Sequence, residues 1–116
     1  MRNAPQYTDG ILDVFEVIED QKSDFPKQKL RATGVRLWYR ELSVFDQLRY
    51  RLNEQGKEVT MKIRIPRYMG IDSRNWVRID GHYHQVYNAA HLISKDGFPE
   101  TELTLIAPQN NLEEDS

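Results

Sequence analysis

The sequence of 116 residues contains no cysteine, no long apolar run and no cluster of glycines. Without cysteine, the chain has no disulfide framework, no thiol nucleophile and no cysteine-type zinc site. No stretch approaches the roughly 18 to 20 apolar residues of a membrane-spanning helix, and no signal peptide follows Met1, so we expect no membrane partner. The isolated glycines exclude the glycine-rich loops that bind phosphate groups. A chain of this length is expected to fold as one domain.

Groups arranged for catalysis are also scarce. No serine lies in a Gly-x-Ser-x-Gly elbow, which is the usual setting of a hydrolase nucleophile. His82 and His84 fall on the same face of a predicted strand, a spacing that some metal sites use, and His91 is the only other histidine. A solvent-facing polar strand is the simpler interpretation of this pair. We therefore expect no enzymatic activity, no metal and no cofactor.

The charges are unevenly distributed along the chain. The net charge is −2, but residues 1–26 sum to −4, residues 27–78 to +8 and residues 79–116 to −6. A basic middle between acidic ends has three interpretations. The acidic parts cover the basic part within one molecule, or opposite charges meet between identical subunits of a head-to-tail ring, or the basic part faces nucleic-acid phosphates.

Alternation of apolar and polar residues dominates the sequence and is typical of strands with one buried face. It predicts six strands, over residues 11–18, 31–42, 58–66, 76–79, 82–87 and 101–107. Asp80-Gly81 between two of these strands favours a type I′ hairpin, because both turn positions need positive φ. The pattern predicts a mainly β fold, a small antiparallel β-barrel over residues 1–107, followed by a disordered acidic tail over 108–116.

One segment changes its period, in the interval between the second and third predicted strands. Val44, Phe45, Leu48 and Leu52 are spaced three and four residues apart, so they share one side of a helix. Ser43 stands where an N-cap belongs. The spacing predicts a short amphipathic helix over residues 44–54, within an insertion spanning 43–57. Its exposed side carries two arginines, Arg49 and Arg51.

Basic and aromatic residues share the outward phase of two predicted strands, namely Arg36, Trp38 and Arg40 on one and Lys62 and Arg64 on the other. Stacking aromatics beside a basic groove are how barrel folds hold single-stranded nucleic acid, which is the alternative function that we consider. An outward tryptophan is otherwise unusual unless something covers it. The cover is either this chain's own helix or N-terminal arm, or a neighbouring subunit. We therefore predict a subunit or partner interface at these five residues.

The order of these segments resembles that of the head–tail joining proteins of long-tailed bacteriophages, the head-closure or stopper proteins of the neck. The resemblance covers residues 11–107, and it rests on order and spacing. Its segments are Gly34–Leu42, the insertion Ser43–Lys57, Thr60–Ile65, Gly70–Asp72, Trp76–Gly81 and Tyr83–Tyr87. Residues 11–20 are more acidic than is usual in that family.

The resemblance implies a structural virion protein, assembled in the host bacterial cytoplasm. Family members are small β-barrels that form a dodecameric ring below the portal and its adaptor ring. The ring closes the DNA-filled head and offers the docking surface for the tail, so the implied partners are portal or adaptor proteins, a tail-completion or tail-terminator protein, further copies of the chain, and the packaged double-stranded DNA. In the family, the inserted segment faces the central channel. The resemblance thus predicts that Arg49, Arg51 and Lys57 face DNA.

Overall fold

The computed structural model describes residues 4–20, 27–42, 58–109 and 112–115. Within these ranges all regular elements are strands, so the prediction of a mainly β fold is confirmed. The strands are β1 (Gly10–Asp20), β2 (Lys27–Leu42), β3 (Val59–Pro66), β4 (Trp76–Ile79), β5 (His82–Ile93), β6 (Pro99–Ile106) and β7 (Glu113–Glu114). The predicted helix over 44–54 and the predicted channel residues Arg49, Arg51 and Lys57 lie outside the described residues.

Six strands are hydrogen-bonded in a closed ring. The order is β1-β4-β5-β6-β3-β2, and β1 pairs with β2 to complete it. Every neighbouring pair in the ring is antiparallel. The pairing of β1 with β4 joins residues far apart in the chain, such as Asp13 and Arg78, whereas β4 and β5 are joined by the predicted two-residue turn. Asp80 and Gly81 have φ of 52° and 80°, which confirms the hairpin.

The apolar phases of the strands face the inside of this ring. They form one main cluster, made mostly of Leu, Ile and Val with Tyr39. Ile63, Ile65, Leu103 and Leu105 are completely buried there, as the alternation in the third and sixth predicted strands indicates. A second, smaller cluster contains Phe15, Leu30 and Trp76.

The first two strands are longer than predicted and form an extended ribbon. Ser23, Pro26 and the many charges predict a loop over residues 20–29. Residues 27–29 instead pair with Ile18–Asp20 and belong to β2, while residues 21–26 lie outside the described residues. The ribbon is kinked where Asp13 pairs with Arg36 but Phe15 pairs with Ala32, which leaves two extra residues in β2. Gly34, inside this bulge, has φ of 86°. The Thr33 hydroxyl donates a hydrogen bond to the Val14 carbonyl and accepts one from the Val35 amide.

The sequence predicts a disordered C-terminal stretch, and for residues 112–115 the structure differs. β7 pairs with β2 in parallel, with Glu113 opposite Lys29 and Glu114 opposite Leu30. Leu112 packs against the second cluster. Composition alone predicts a disordered tail, because acidic polar residues bury little apolar surface. In the structure, Leu112 packs on the second cluster and the following residues pair with the basic strand β2.

Candidate functional site

Three strands present a common outward face, on which three of the five predicted interface residues meet. Arg40 of β2 pairs in register with Arg64 of β3, and Arg64 pairs with Glu102 of β6. Lys62 lies two residues from Arg64 and therefore points to the same side of β3. The alternation predicted this phase correctly. It did not predict the carboxylates that lie among the cations.

Glu100 and Glu102 hold these cations in a network of ion pairs. The Arg64 guanidinium contacts Glu100 Oε1 and Glu102 Oε1, both at 3.0 Å. Lys62 Nζ lies 3.2 Å from Glu102 Oε2, and Arg40 Nη2 lies 3.3 Å from Glu100 Oε2. For these residues the acidic C-terminal part neutralises the basic middle within one molecule, the first of the three interpretations of the charge pattern. Arg40 Nε is buried and has no hydrogen-bond partner within the structure as described.

Glu100 is the centre of this network, although its side chain points away from the main core. It is completely buried, and the Tyr7 hydroxyl donates a hydrogen bond of 2.7 Å to its Oε2. Burial alone would raise the pKa of Glu100, but hydrogen bonds from Tyr7, Arg64 and Arg40 outweigh it and leave the pKa below its ordinary value. Burial and the bond to Glu100 raise the pKa of Tyr7 to about 12.

Sequence analysis missed both ends of this contact. Gly97 and Pro99 predict a turn over residues 94–100, which includes Glu100, while Tyr7 precedes the first predicted strand. The two residues are 93 positions apart. The available signal was the spacing of Glu100 and Glu102, which places two carboxylates on the polar phase of one strand.

Trp38 and Arg36 lie beside this network at the edge of the same face. The Trp38 side chain is 55% exposed, and its cross-strand neighbour Ile11 is 37% exposed. The exposed Arg36 guanidinium is paired with Asp13, Nε to Oδ1, at 2.9 Å. Exposed apolar side chains that adjoin one another, as Trp38 and Ile11 do, are more typical of protein contact surfaces than single exposed apolar residues are.

A groove of about 460 Å³ runs next to Trp38. Tyr7 and Thr8 of the N-terminal arm, together with Leu37 and Pro66, form its mainly apolar lining, and Arg36 is at its rim. The arm therefore shapes the groove without covering the indole. The N-terminal arm was one of the predicted covers of Trp38. It lies beside the indole, and Trp38 remains 55% exposed.

The histidines do not assemble a metal site in the described part of the chain, where no group of three metal-ligating side chains occurs. The strand was predicted to expose its polar side chains, and His82 does so. His84 is instead buried, and its Nδ1 lies 3.0 Å from the Ile106 carbonyl oxygen. Burial lowers the pKa of His84, so its neutral form is favoured.

The chain matches no protein-family model, and a comparison with curated proteins finds no relative. None of the described residues belongs to a helix long and apolar enough to cross a membrane. The outward face is defined by Trp38 with its groove and by the ion-pair network of Arg40, Lys62, Arg64, Glu100 and Glu102.

Proposed function

We propose that this chain is a structural protein of the neck of long-tailed bacteriophages, a subunit of the ring that closes the head and receives the tail. The observation that carries the proposal is the exposed indole of Trp38 beside an apolar groove, on a face whose cations are already paired. Such a face suits contact with protein better than contact with phosphate, because its charges are satisfied and its apolar area is not.

The order of elements supports the same proposal. A strand with an exposed tryptophan, an insertion over 43–57, a basic alternating strand, a loop and a tight hairpin follow one another, as in the family that the sequence resembles. We further propose that the closed ring of six strands is a small β-barrel and that residues 43–57 face the channel with Arg49, Arg51 and Lys57. These finer assignments, the helix over 44–54 and the dodecameric state remain predictions.

The alternative function, binding of nucleic acid, is less well supported by the geometry. A protein that binds nucleic acid needs cations that can neutralise phosphates and so displace the counterions held by the nucleic acid. Lys62 and Arg64 are mostly buried and contact carboxylates, so using them would first require breaking internal ion pairs. We expect the isolated chain to show no salt-dependent affinity for single-stranded DNA in a fluorescence anisotropy titration.

The decisive experiment is electron microscopy of a lysate of phage that lacks this gene. We expect complete tails beside separate heads that have lost or leaked their DNA. Complementation with Trp38→Ala should fail to restore joined particles, whereas Ile93→Ala should restore them. Ile93 is the matched control, since it is 65% exposed but does not line the groove. Joined, infectious particles without the gene would refute the neck assignment.

A further inference from the structure

The C-terminal segment Leu112–Asp115, here called the tail segment, occupies a defined site on its own chain. Its site consists of the second cluster (Phe15, Leu30 and Trp76), the edge of β2 at Lys29–Leu30, and the side chains of Arg78 and Tyr83. Leu112 packs on the cluster. The Asp115 amide donates a hydrogen bond to the Leu30 carbonyl. This site is distinct from the outward face with Trp38.

Charge complementarity adds to the fit between the tail segment and its site. Glu113, Glu114 and Asp115 follow one another in the tail segment, whereas the part of β2 that they approach carries Lys27 and Lys29. Glu114 Oε2 accepts a hydrogen bond from Arg78 Nη1 at 3.2 Å and a short one from the Tyr83 hydroxyl. The site thus recognises an apolar residue followed by carboxylates in an extended strand.

The same contact is small compared with the others in the sheet. β7 contains two residues and is the one strand, among those described, that pairs in parallel. β1 covers one edge of β2, and β7 pairs with the opposite edge at Lys29 and Leu30. Among the described residues, no strand pairs with that opposite edge between Arg31 and Trp38. An edge covered by a strand of only two residues, with the side-chain contacts of Leu112 and Glu114, is among the first parts of a sheet to open.

We propose that the tail segment is exchanged between copies, so that Leu112–Asp115 of one molecule occupies the site of a second copy of this chain. Because all copies have the same sequence, a tail segment that fits the site in its own molecule fits the same site in a neighbour. Exchange of the segment is therefore a low-cost route to assembly. The proposal deepens the neck assignment by naming a contact between subunits, but the exchange itself requires only a second copy.

The chain length restricts how the copies are arranged. The Gln109 amide donates a hydrogen bond to the Tyr83 carbonyl, so the chain is held by backbone up to that residue. Three residues from Gln109 to Leu112 reach about 10 Å when fully extended. A neighbour that accepts the tail segment therefore lies in direct contact with the donor, unless the hydrogen bond of Gln109 also opens.

Engineered cysteines provide the test, because the natural chain has none. Lys29 and Glu113 are paired in register, and Cα atoms on adjacent strands are separated by a distance that a disulfide bridges. A single chain with Lys29→Cys and Glu113→Cys should form an intramolecular disulfide at high dilution. Failure to form it would overturn the premise that the tail segment lies in this register.

The exchange itself is measured by mixing two singly substituted chains, Lys29→Cys and Glu113→Cys, at high concentration under mild oxidation. We expect a disulfide-linked heterodimer well above the yield from Lys29→Cys mixed with Lys95→Cys, which reports random collision at an exposed turn. Adding Leu112→Asp to the Glu113→Cys chain should lower the yield about tenfold, because it removes the one apolar anchor. A heterodimer yield no higher than that of the Lys95→Cys control mixture would overturn the proposal. A yield that Leu112→Asp leaves unchanged would overturn it as well. The gene-deletion experiment measures whether heads and tails are joined in phage particles, whereas the disulfide experiment measures exchange between isolated chains. Failure of the neck assignment and failure of the exchange are therefore distinguishable.

Discussion

Replacement of Glu100 by glutamine is the sharpest test of the ion-pair network, because glutamine keeps the size and shape of the side chain and removes its charge. The variant leaves Arg40 and Arg64 facing a neutral group in a site from which water is excluded. Removing one partner of a buried ion pair costs about 3–5 kcal/mol. Arg64 keeps Glu102, and the Arg40 side chain is 35% exposed, so we place Glu100→Gln near the lower end, at about 3 kcal/mol.

The assay is urea denaturation at pH 7, followed by far-ultraviolet circular dichroism. With an m-value of about 1–3 kcal/mol/M, a loss of this size lowers the urea midpoint by about 1–3 M. Glu102→Gln is the matched control, since Glu102 contacts Lys62 and Arg64 but is 18% exposed. Its expected loss is about 1–2 kcal/mol. If Glu100→Gln lowered the free energy of unfolding by no more than Glu102→Gln does, the central role of Glu100 would be refuted.

The pH dependence of the unfolding free energy, compared between wild type and Glu100→Gln, provides a second test of the role of Glu100. The pKa of Glu100 in the folded chain is lowered from its ordinary value of 4.5. Its stabilisation is therefore fully present above about pH 4.5 and is lost as the pH falls through the folded pKa. The amide that replaces the carboxylate in Glu100→Gln does not titrate, so the difference in unfolding free energy between wild type and variant should narrow in acid. A difference that stays constant from pH 7 to pH 3 would contradict this reasoning.

Three further predictions concern single residues. Tyr7→Phe removes the hydrogen bond to the Glu100 carboxylate and should cost about 1.5 kcal/mol. Because the pKa of Tyr7 is raised from 10.0 to about 12, the contribution of Tyr7 to the unfolding free energy of wild type is fully present below pH 10.0 and is lost as the pH rises to about 12, which an alkaline denaturation series measures. Gly81→Ala forces a side chain into φ of 80° and should cost about 1–2 kcal/mol in a thermal or urea melt, and an unchanged midpoint would exclude the strain. Burial lowers the pKa of His84 from its ordinary value of 6.5, so the unfolding free energy of wild type should fall as the pH drops below 6.5, and a flat profile between pH 7 and pH 5.5 would argue against a buried neutral imidazole.

Local patterns in the sequence were sufficient for some elements. The turn at Asp80-Gly81 is determined by two residues that tolerate positive φ, and both flanking strands were predicted from their own composition. The buried phase of β3 and β6 followed from alternation, because one face of each strand packs on the main core. These features depend on neighbours within a few positions, which a single sequence displays directly.

The remaining features depend on partners that lie far apart in the chain. The pairing of β1 with β4, the burial of Glu100 under Tyr7 and the packing of Leu112 on the second cluster each join segments that no local pattern connects. The basic residues of β2 and β3 illustrate the consequence. Alternation placed Arg40, Lys62 and Arg64 on one face correctly. Their availability to a partner depends on Glu100 and Glu102, which lie beside them because β6 neighbours β3 in the strand order.

The bulge at Gly34 bears on how the chain behaves when it is abundant. A long ribbon with an open edge is a template on which strands from other molecules stack into insoluble fibrils. The two extra residues in β2 break the regular spacing of donors and acceptors on that edge, and the Thr33 hydroxyl already occupies the Val35 amide. The ribbon therefore offers short, interrupted stretches to other chains. A residue such as valine at position 34, which resists positive φ, would favour a straighter edge and a chain that precipitates when overproduced.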